Sequence, residues 1–189
     1  MNLVLASTSP RRLSLVERLG VTPARVAAPD IDENPLKDES PRAYALRLAE
    51  QKARAVSRDA GEIVLAGDTT IALGRRILPK AEDEATARRC LELMSGRRHH
   101  VLSAIALRAP DGTIRERLSD TMVQVKRLTG KEIDAYIAGG EWHGKAGGYA
   151  IQGMAEALVV SLSGSHSGVV GLPLYETRTL LKAAGFALG

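Results

Sequence analysis

Apolar and polar positions alternate along this chain in a way that separates short strands from amphipathic helices. Leu3-Val4-Leu5-Ala6 is an uninterrupted apolar run, the pattern of a short buried strand. Ser9 then stands where a helix N-cap is expected and Pro10 at the first helical position, where its missing N–H costs nothing. Leu13, Val16 and Leu19 continue at three-residue spacing, and Gly20 is the stop. A short strand follows at 25–28, then a helix over 41–57 opened by Ser40-Pro41. Tyr44, Ala45, Leu48, Ala49 and Val56 make its apolar side; Arg42, Arg47, Glu50 and Arg54 make its wet side. Ile63-Val64-Leu65-Ala66 predicts a second buried strand that ends in Gly67-Asp68-Thr69-Thr70.

The second half begins with a small hairpin, Ile71-Ala72-Leu73 and Ile77-Leu78 around Gly74-Arg75-Arg76, and a helix over 82–94. Two long strand-like segments, 98–108 and 113–127, flank the turn Pro110-Asp111-Gly112. Thr129 and Glu132 form a capping box for a helix to about 138. Leu158-Val159-Val160 predicts a third buried strand, Ser163 to Gly168 a polar loop, and Leu172 to Ala184 a final amphipathic helix. The predicted class is α/β. At 189 residues, with no internal repeat or linker, the chain suits one domain spanning 1–189, built of two lobes around a cleft.

Composition narrows the function. Hydrophobic content of 44% and charged content of 25% are ordinary for a globular protein. The net charge of +4 suits an anionic small molecule as readily as nucleic acid, but six aromatic residues offer few platforms for bases. The basic residues are scattered among acidic ones rather than gathered on one stripe, so stable nucleic-acid binding is not expected. A lone cysteine, Cys90, excludes an intrachain disulfide. No apolar run approaches the ~18 residues of a membrane span, and the N-terminus lacks a signal-peptide pattern. A cytoplasmic protein is the default expectation.

Several stretches carry candidate chemistry, each with a plainer alternative. Ser7-Thr8-Ser9-Pro10-Arg11-Arg12 places hydroxyls, free N–H groups and two guanidiniums at one strand-to-helix junction. Cations at that helix end are unfavourable by roughly 0.3–1 kcal/mol each, and an anion would reverse the sign. The stretch is a phosphate cradle or a pair of solvated arginines after an ordinary cap. Asp30, Asp32 and Glu33, between two prolines, are hard oxygen ligands for a divalent cation or a solvated acidic loop. Asp68 sits directly after a buried strand, where open α/β sheets keep ligands, or closes an Asx-turn on its own backbone. Lys80 is a phosphate contact or an exposed lysine. His99 and His100 point to opposite faces of a strand, so at least one is structural. The glycine-rich segment Trp142 to Gly153 allows close backbone approach to a ligand, with Gln152 offering both donor and acceptor; a floppy loop is the alternative.

Ser7-Thr8-Ser9-Pro10-Arg11-Arg12, Gly67-Asp68-Thr69, Lys80, Lys145 to Gly153 and Gly171-Leu172-Pro173-Leu174-Tyr175-Glu176-Thr177 together resemble the Maf family of nucleotide pyrophosphatases in order and separation. The resemblance implies a fold akin to inosine-triphosphate pyrophosphatases, with a mixed twisted sheet, flanking helices and a cleft between lobes. It also implies cleavage of nucleoside triphosphates to monophosphate and pyrophosphate with Mg²⁺ or Mn²⁺, and a homodimer. Asp68 matches the catalytic carboxylate; Ser7, Arg11, Arg12 and Lys80 match phosphate-holding positions. Glu33 would join Asp68 around the metal, and Arg11, Thr69 and Gln152 match positions linked to substrate choice. Ile151-Gln152-Gly153 looks like the branch that prefers dTTP and UTP. Two departures stand out: Pro79-Lys80-Ala81 replaces the usual Gly-Lys-Pro, and Gly67 replaces the usual Ala, which would loosen the expected turn.

The implied reaction suits these residues, because water attack at the α-phosphorus needs positioning and charge stabilisation rather than covalent chemistry. An Asp with pKa around 3.9 is a weak base at neutral pH, so Asp68 would orient water or take its proton late. The rival reading is a nucleotide-binding regulator of cell division without turnover, a role with which the family has been associated.

Overall fold

The computed structural model describes residues 1–188, so Gly189, the last residue of the expected domain, lies outside the described residues. The strands are β1 (Asn2–Ala6), β2 (Arg25–Ala27), β3 (Glu62–Leu73), β4 (Arg76–Leu78), β5 (Lys80–Ala81), β6 (Arg98–Arg108), β7 (Ile114–Val125), β8 (Lys145–Ala146) and β9 (Val159–Ser163). The helices are α1 (Pro10–Glu17), α2 (Pro41–Ala55), α3 (Glu84–Met94), α4 (Gly130–Ala138), α5 (His166–Val170) and α6 (Leu174–Ala183). One mixed sheet runs β2-β1-β3-β6-β7-β9, with β4 also paired to β3, and β5 and β8 form a separate two-stranded ladder. β1 pairs in parallel with β2 and β3; every other pairing is antiparallel.

Alternation along the strands sorts the core into two layers. Val4, Ala6, Val64, Ala66, Ala104 and Ala106 face α2, whose Ala45, Ala49 and Ala53 pack against them. Leu3, Leu5, Ile63, Leu65, Ile105 and Leu107 face the opposite layer, which receives α1, α3, α4 and α6. Small side chains on both partners let α2 lie close against the sheet, whereas the other layer is filled by larger ones. Caps hold the helices where the sequence predicts them. Ser40 accepts from the Ala43 N–H at 3.2 Å, and Thr129 and Glu132 make the reciprocal capping box.

The sequence reading needs correction at three elements. β3 does not end at Ala66 but continues to Leu73, twelve residues in all, because β6 pairs with it without a break from Val64 to Ala72. Asp68 therefore stands in mid-strand, neither after a strand nor in an Asx-turn. Gly67 is likewise no turn residue: a Cβ there would lie 3.3 Å from the Ala104 carbonyl oxygen, a tight approach, and 3.5 Å from Arg12 Nε, an ordinary contact. β9 is an exposed edge strand rather than a buried one, with Val160 61% exposed. Finally, part of the expected polar loop is helical as α5, capped by the Ser165 hydroxyl, which accepts from the Gly168 N–H. Among the described residues no helix is long and apolar enough to cross a membrane.

Candidate active site

A cleft of about 500 Å³ opens where one edge of β3 is left free. On that edge β1 covers β3 as far as Ala66 and β4 resumes at Ile71, so among the described residues Gly67 to Thr70 have no strand neighbour on that side. Adjacent residues there send their side chains to opposite faces of the sheet. Asp68 points toward α2, and Thr69 toward the opposite layer and α5.

On the α2 side, buried Asp68 accepts at Oδ1 from Lys52 Nζ at 2.7 Å and at Oδ2 from the Thr70 hydroxyl at 3.0 Å. Lys52 Nζ also pairs with Glu33 Oε1 at 2.8 Å, and Lys80 Nζ reaches Glu33 Oε2 at 2.6 Å. Burial works to raise the Glu33 pKa, but hydrogen bonds from Lys52 and Lys80 outweigh it and carry the carboxyl down to about 2. Tyr44 donates its hydroxyl to the Glu33 carbonyl oxygen at 2.8 Å. Burial first, then the negative charges of Asp68 and Glu33, push its phenol up to about 12.

On the other side Arg12 donates through Nε to the Gly171 carbonyl at 2.8 Å, through Nη1 to Ser7 Oγ at 3.3 Å, and through Nη2 to Thr69 Oγ1 at 3.2 Å. Burial lowers its pKa, and Asp68 partly opposes that effect. Three elements distant in sequence are thus tied to one guanidinium. Arg11, one residue earlier, lines the cleft half-buried, and burial lowers its pKa as well. Ser9 occupies the N-cap position of α1, but its side chain makes no cap; its backbone N–H donates to Ser7 Oγ at 3.2 Å.

Lys80 and the glycine-rich segment arrive together. β5 pairs with β8, and the Gly144 and Gly147 N–H groups donate to the Ala81 and Pro79 carbonyls at 2.8 and 2.9 Å. That pairing supplies a definite backbone for Pro79-Lys80-Ala81. Gly147 and Gly148 adopt positive φ, and a Cβ on Gly148 would come 3.1 Å from Ala87 Cα, so the segment is seated against α3 and is no floppy loop. Gln152 ends it, exposed and lining the cleft.

Ser7, Arg11, Arg12, Glu33, Asp68, Thr69, Lys80 and Gln152 therefore line this one cleft, whereas Asp30 and Asp32, the other two carboxylates of the proline-bounded loop, do not. The reading missed Lys52, which is 5% exposed and lies within hydrogen-bond reach of both carboxylates. A signal was available. Lys52 falls four residues after Leu48 and three after Ala49, on the apolar stripe of α2, where an unpartnered lysine would be costly.

Residues 2–184 match the family described as Maf-like protein. The chain belongs to that family. Among its relatives, the dTTP/UTP pyrophosphatase of Novosphingobium aromaticivorans is 70% identical over 184 residues, which cover 97% of this chain and 92% of the relative. The dTTP/UTP pyrophosphatase of Sphingopyxis alaskensis is 63% identical over 187 residues, covering 99% and 98%. In solved structures the Maf-like fold seen here is shared by a HAM1 protein from Coxiella burnetii, with 18% identity and a TM-score of 0.52 over 97% of this chain and 99% of that one.

Proposed function

We propose that this chain hydrolyses dTTP and UTP to the nucleoside monophosphate and pyrophosphate, by attack of water at the α-phosphorus. The observation that carries the reading is the buried carboxylate of Asp68 beside a cleft that five basic side chains line, in a family whose relatives bear that activity as their name. Arg11, Ser7 and the uncapped first turn of α1 bind phosphate oxygens, and Lys80 approaches from the opposite wall. Arg12 holds Ser7 and Thr69 in place while leaving guanidinium donors for the substrate.

Asp68 orients the attacking water and accepts its proton late, when the nucleophile's O–P bond is forming. The bridging bond between the α- and β-phosphorus atoms then breaks, and its electron pair leaves with pyrophosphate. Lys52 bridges Asp68 and Glu33, fixes their separation and, with Lys80, holds the Glu33 carboxyl down. The Gln152 amide meets adjacent acceptor and donor atoms on a uracil or thymine edge, which disfavours cytosine and its amino group; Thr69 and Arg11 bound the same substrate.

Among the described residues there is no cluster of three or more His, Cys, Asp or Glu that could hold a metal ion by itself. Two carboxylates on one ammonium do fit a divalent cation bound jointly with a triphosphate, since Mg²⁺ takes one or two protein carboxylates and completes its shell with phosphates and water. Asp68 and Glu33 would hold it, and bound there it would neutralise charge on the phosphate oxygens.

The test is turnover of a panel of triphosphates with Mg²⁺ or Mn²⁺ in ¹⁸O-labelled water. UTP and dTTP should be cleaved faster than CTP or GTP, with the label in the monophosphate. Label in pyrophosphate would overturn attack at the α-phosphorus, and tight binding without turnover would favour a regulator.

A further inference from the structure

Five basic side chains line the cleft against three carboxylates, Glu33, Asp68 and Glu82, so the cleft lining carries an excess of positive charge. The cations differ in what already engages them. Lys52 is paired with Asp68 and Glu33, and Lys80 with Glu33. Arg12 is committed to Ser7, Thr69 and the Gly171 carbonyl. Among the described residues, Arg11 and Lys145 are the two cleft cations with neither an ion-pair partner nor a cross-chain hydrogen bond. Lys145 Nζ donates only to the carbonyl of His143, two residues away, at 3.0 Å.

Lys145 is held firmly despite its glycine-rich surroundings. It lies in β8, in register with Ala81, and the flanking Gly144 and Gly147 N–H groups bond to the carbonyls on either side of Lys80. Its pKa is lowered by burial first and by the positive charge of Arg11 second, while Glu141 opposes this. Glu141 is partly engaged elsewhere, accepting from the Met154 N–H at 2.8 Å. Two like charges from separate walls of one cleft are unfavourable until an anion of at least two charges lies between them. Among the described residues Lys145 bonds neither Asp68 nor Glu33, the two carboxylates that Lys52 joins.

We propose that Lys145 binds the β- and γ-phosphoryl groups of the nucleoside triphosphate opposite Arg11, and holds them as pyrophosphate when the bond to the α-phosphorus breaks. This rests on the triphosphate reading above. Water's oxygen bonds to the α-phosphorus, the bridging oxygen departs on pyrophosphate with the bonding pair, and Lys145 keeps its protons throughout. It stabilises charge that grows on the leaving group.

The test is calorimetric titration of wild type, Lys145→Met and Lys145→Arg with inorganic pyrophosphate and with UMP, both with Mg²⁺, alongside pyrophosphate release from UTP. Loss of one charge-assisted contact should weaken pyrophosphate binding about tenfold in Lys145→Met. UMP affinity should be unchanged, and Lys145→Arg should lie near wild type. Equal pyrophosphate affinity in wild type and a folded Lys145→Met would overturn the proposal, as would a parallel loss for UMP. Pyrophosphate binding that depends on Lys145, in a wild-type protein that releases none from UTP, would support this site while removing the hydrolase reading.

Discussion

The two faces of the sheet each bury a polar pair, and they do so by opposite means. Against α2, among alanines, the pair is charged: Lys52 and Asp68 meet at 2.7 Å. In the other layer, among leucines and isoleucines, it is neutral: His99 Nε2 and the Tyr149 hydroxyl lie 2.8 Å apart with their rings edge-on. Burial takes the His99 pKa from 6.5 to about 4 and pushes the Tyr149 phenol well above its ordinary range. Among the described residues no ion balances His99, and its buried Nδ1 has no partner. The charged pair stands where its face opens into the cleft. On the other face a neutral contact ties the glycine-rich segment to β6. A buried ion pair is weak evidence for stability, so the Lys52–Asp68 pair beside the cleft points to chemistry rather than to folding.

The largest expected effect falls on the charged face. Lys52→Met strips the cation from two carboxylates and should destabilise the protein by about 3–5 kcal/mol in denaturant titration. The double variant Lys52→Met, Asp68→Asn should recover part of that loss by removing one orphaned charge. Full stability of Lys52→Met would erase the distinction between the faces.

The neutral face should show itself through pH. The folded state keeps His99 neutral down to about 4, while the unfolded chain protonates it below 6.5. Protons then bind the unfolded state preferentially, so stability falls as pH drops from about 6.5 to 4, by about 3 kcal/mol in full. His99→Gln should flatten that limb. Glu33 is displaced in the same direction over a lower window: its carboxyl is carried from 4.5 down to about 2, so its contribution is present above 4.5 and is lost as pH falls toward 2. Unfolding measured across the acid range therefore separates the two faces, and an unaltered limb in His99→Gln would remove the neutral pair from the account.

Much of this was legible in the chain. The corner from Leu3 to Arg12, the capping box at Thr129 and the long hairpin about Pro110-Asp111-Gly112 rest on local rules, and they fold where those rules place them. Asp68 was found, but its setting was not, because a Gly after four apolar residues looks like the end of a strand. Whether β3 continues depends on β6, more than thirty residues away, and which edge stays open depends on where β1 stops and β4 starts. Local pattern carries neither. β9 was misread for a related reason: three apolar residues in a row do not reveal that nothing covers one edge. Lys52 was overlooked because charged helix residues are ordinarily assigned to solvent, although its position on the stripe with Leu48 and Ala49 set it apart.

The central claim is that Asp68 directs water onto a triphosphate in this cleft, and Asp68→Asn tests it most directly. Asparagine keeps a side-chain acceptor beside the Thr70 hydroxyl, and Lys52 keeps Glu33, so the fold should persist. Pyrophosphate release from UTP should fall by about a thousandfold or more in kcat, with a wild-type circular dichroism spectrum. Turnover at the wild-type rate in that folded variant would contradict the account.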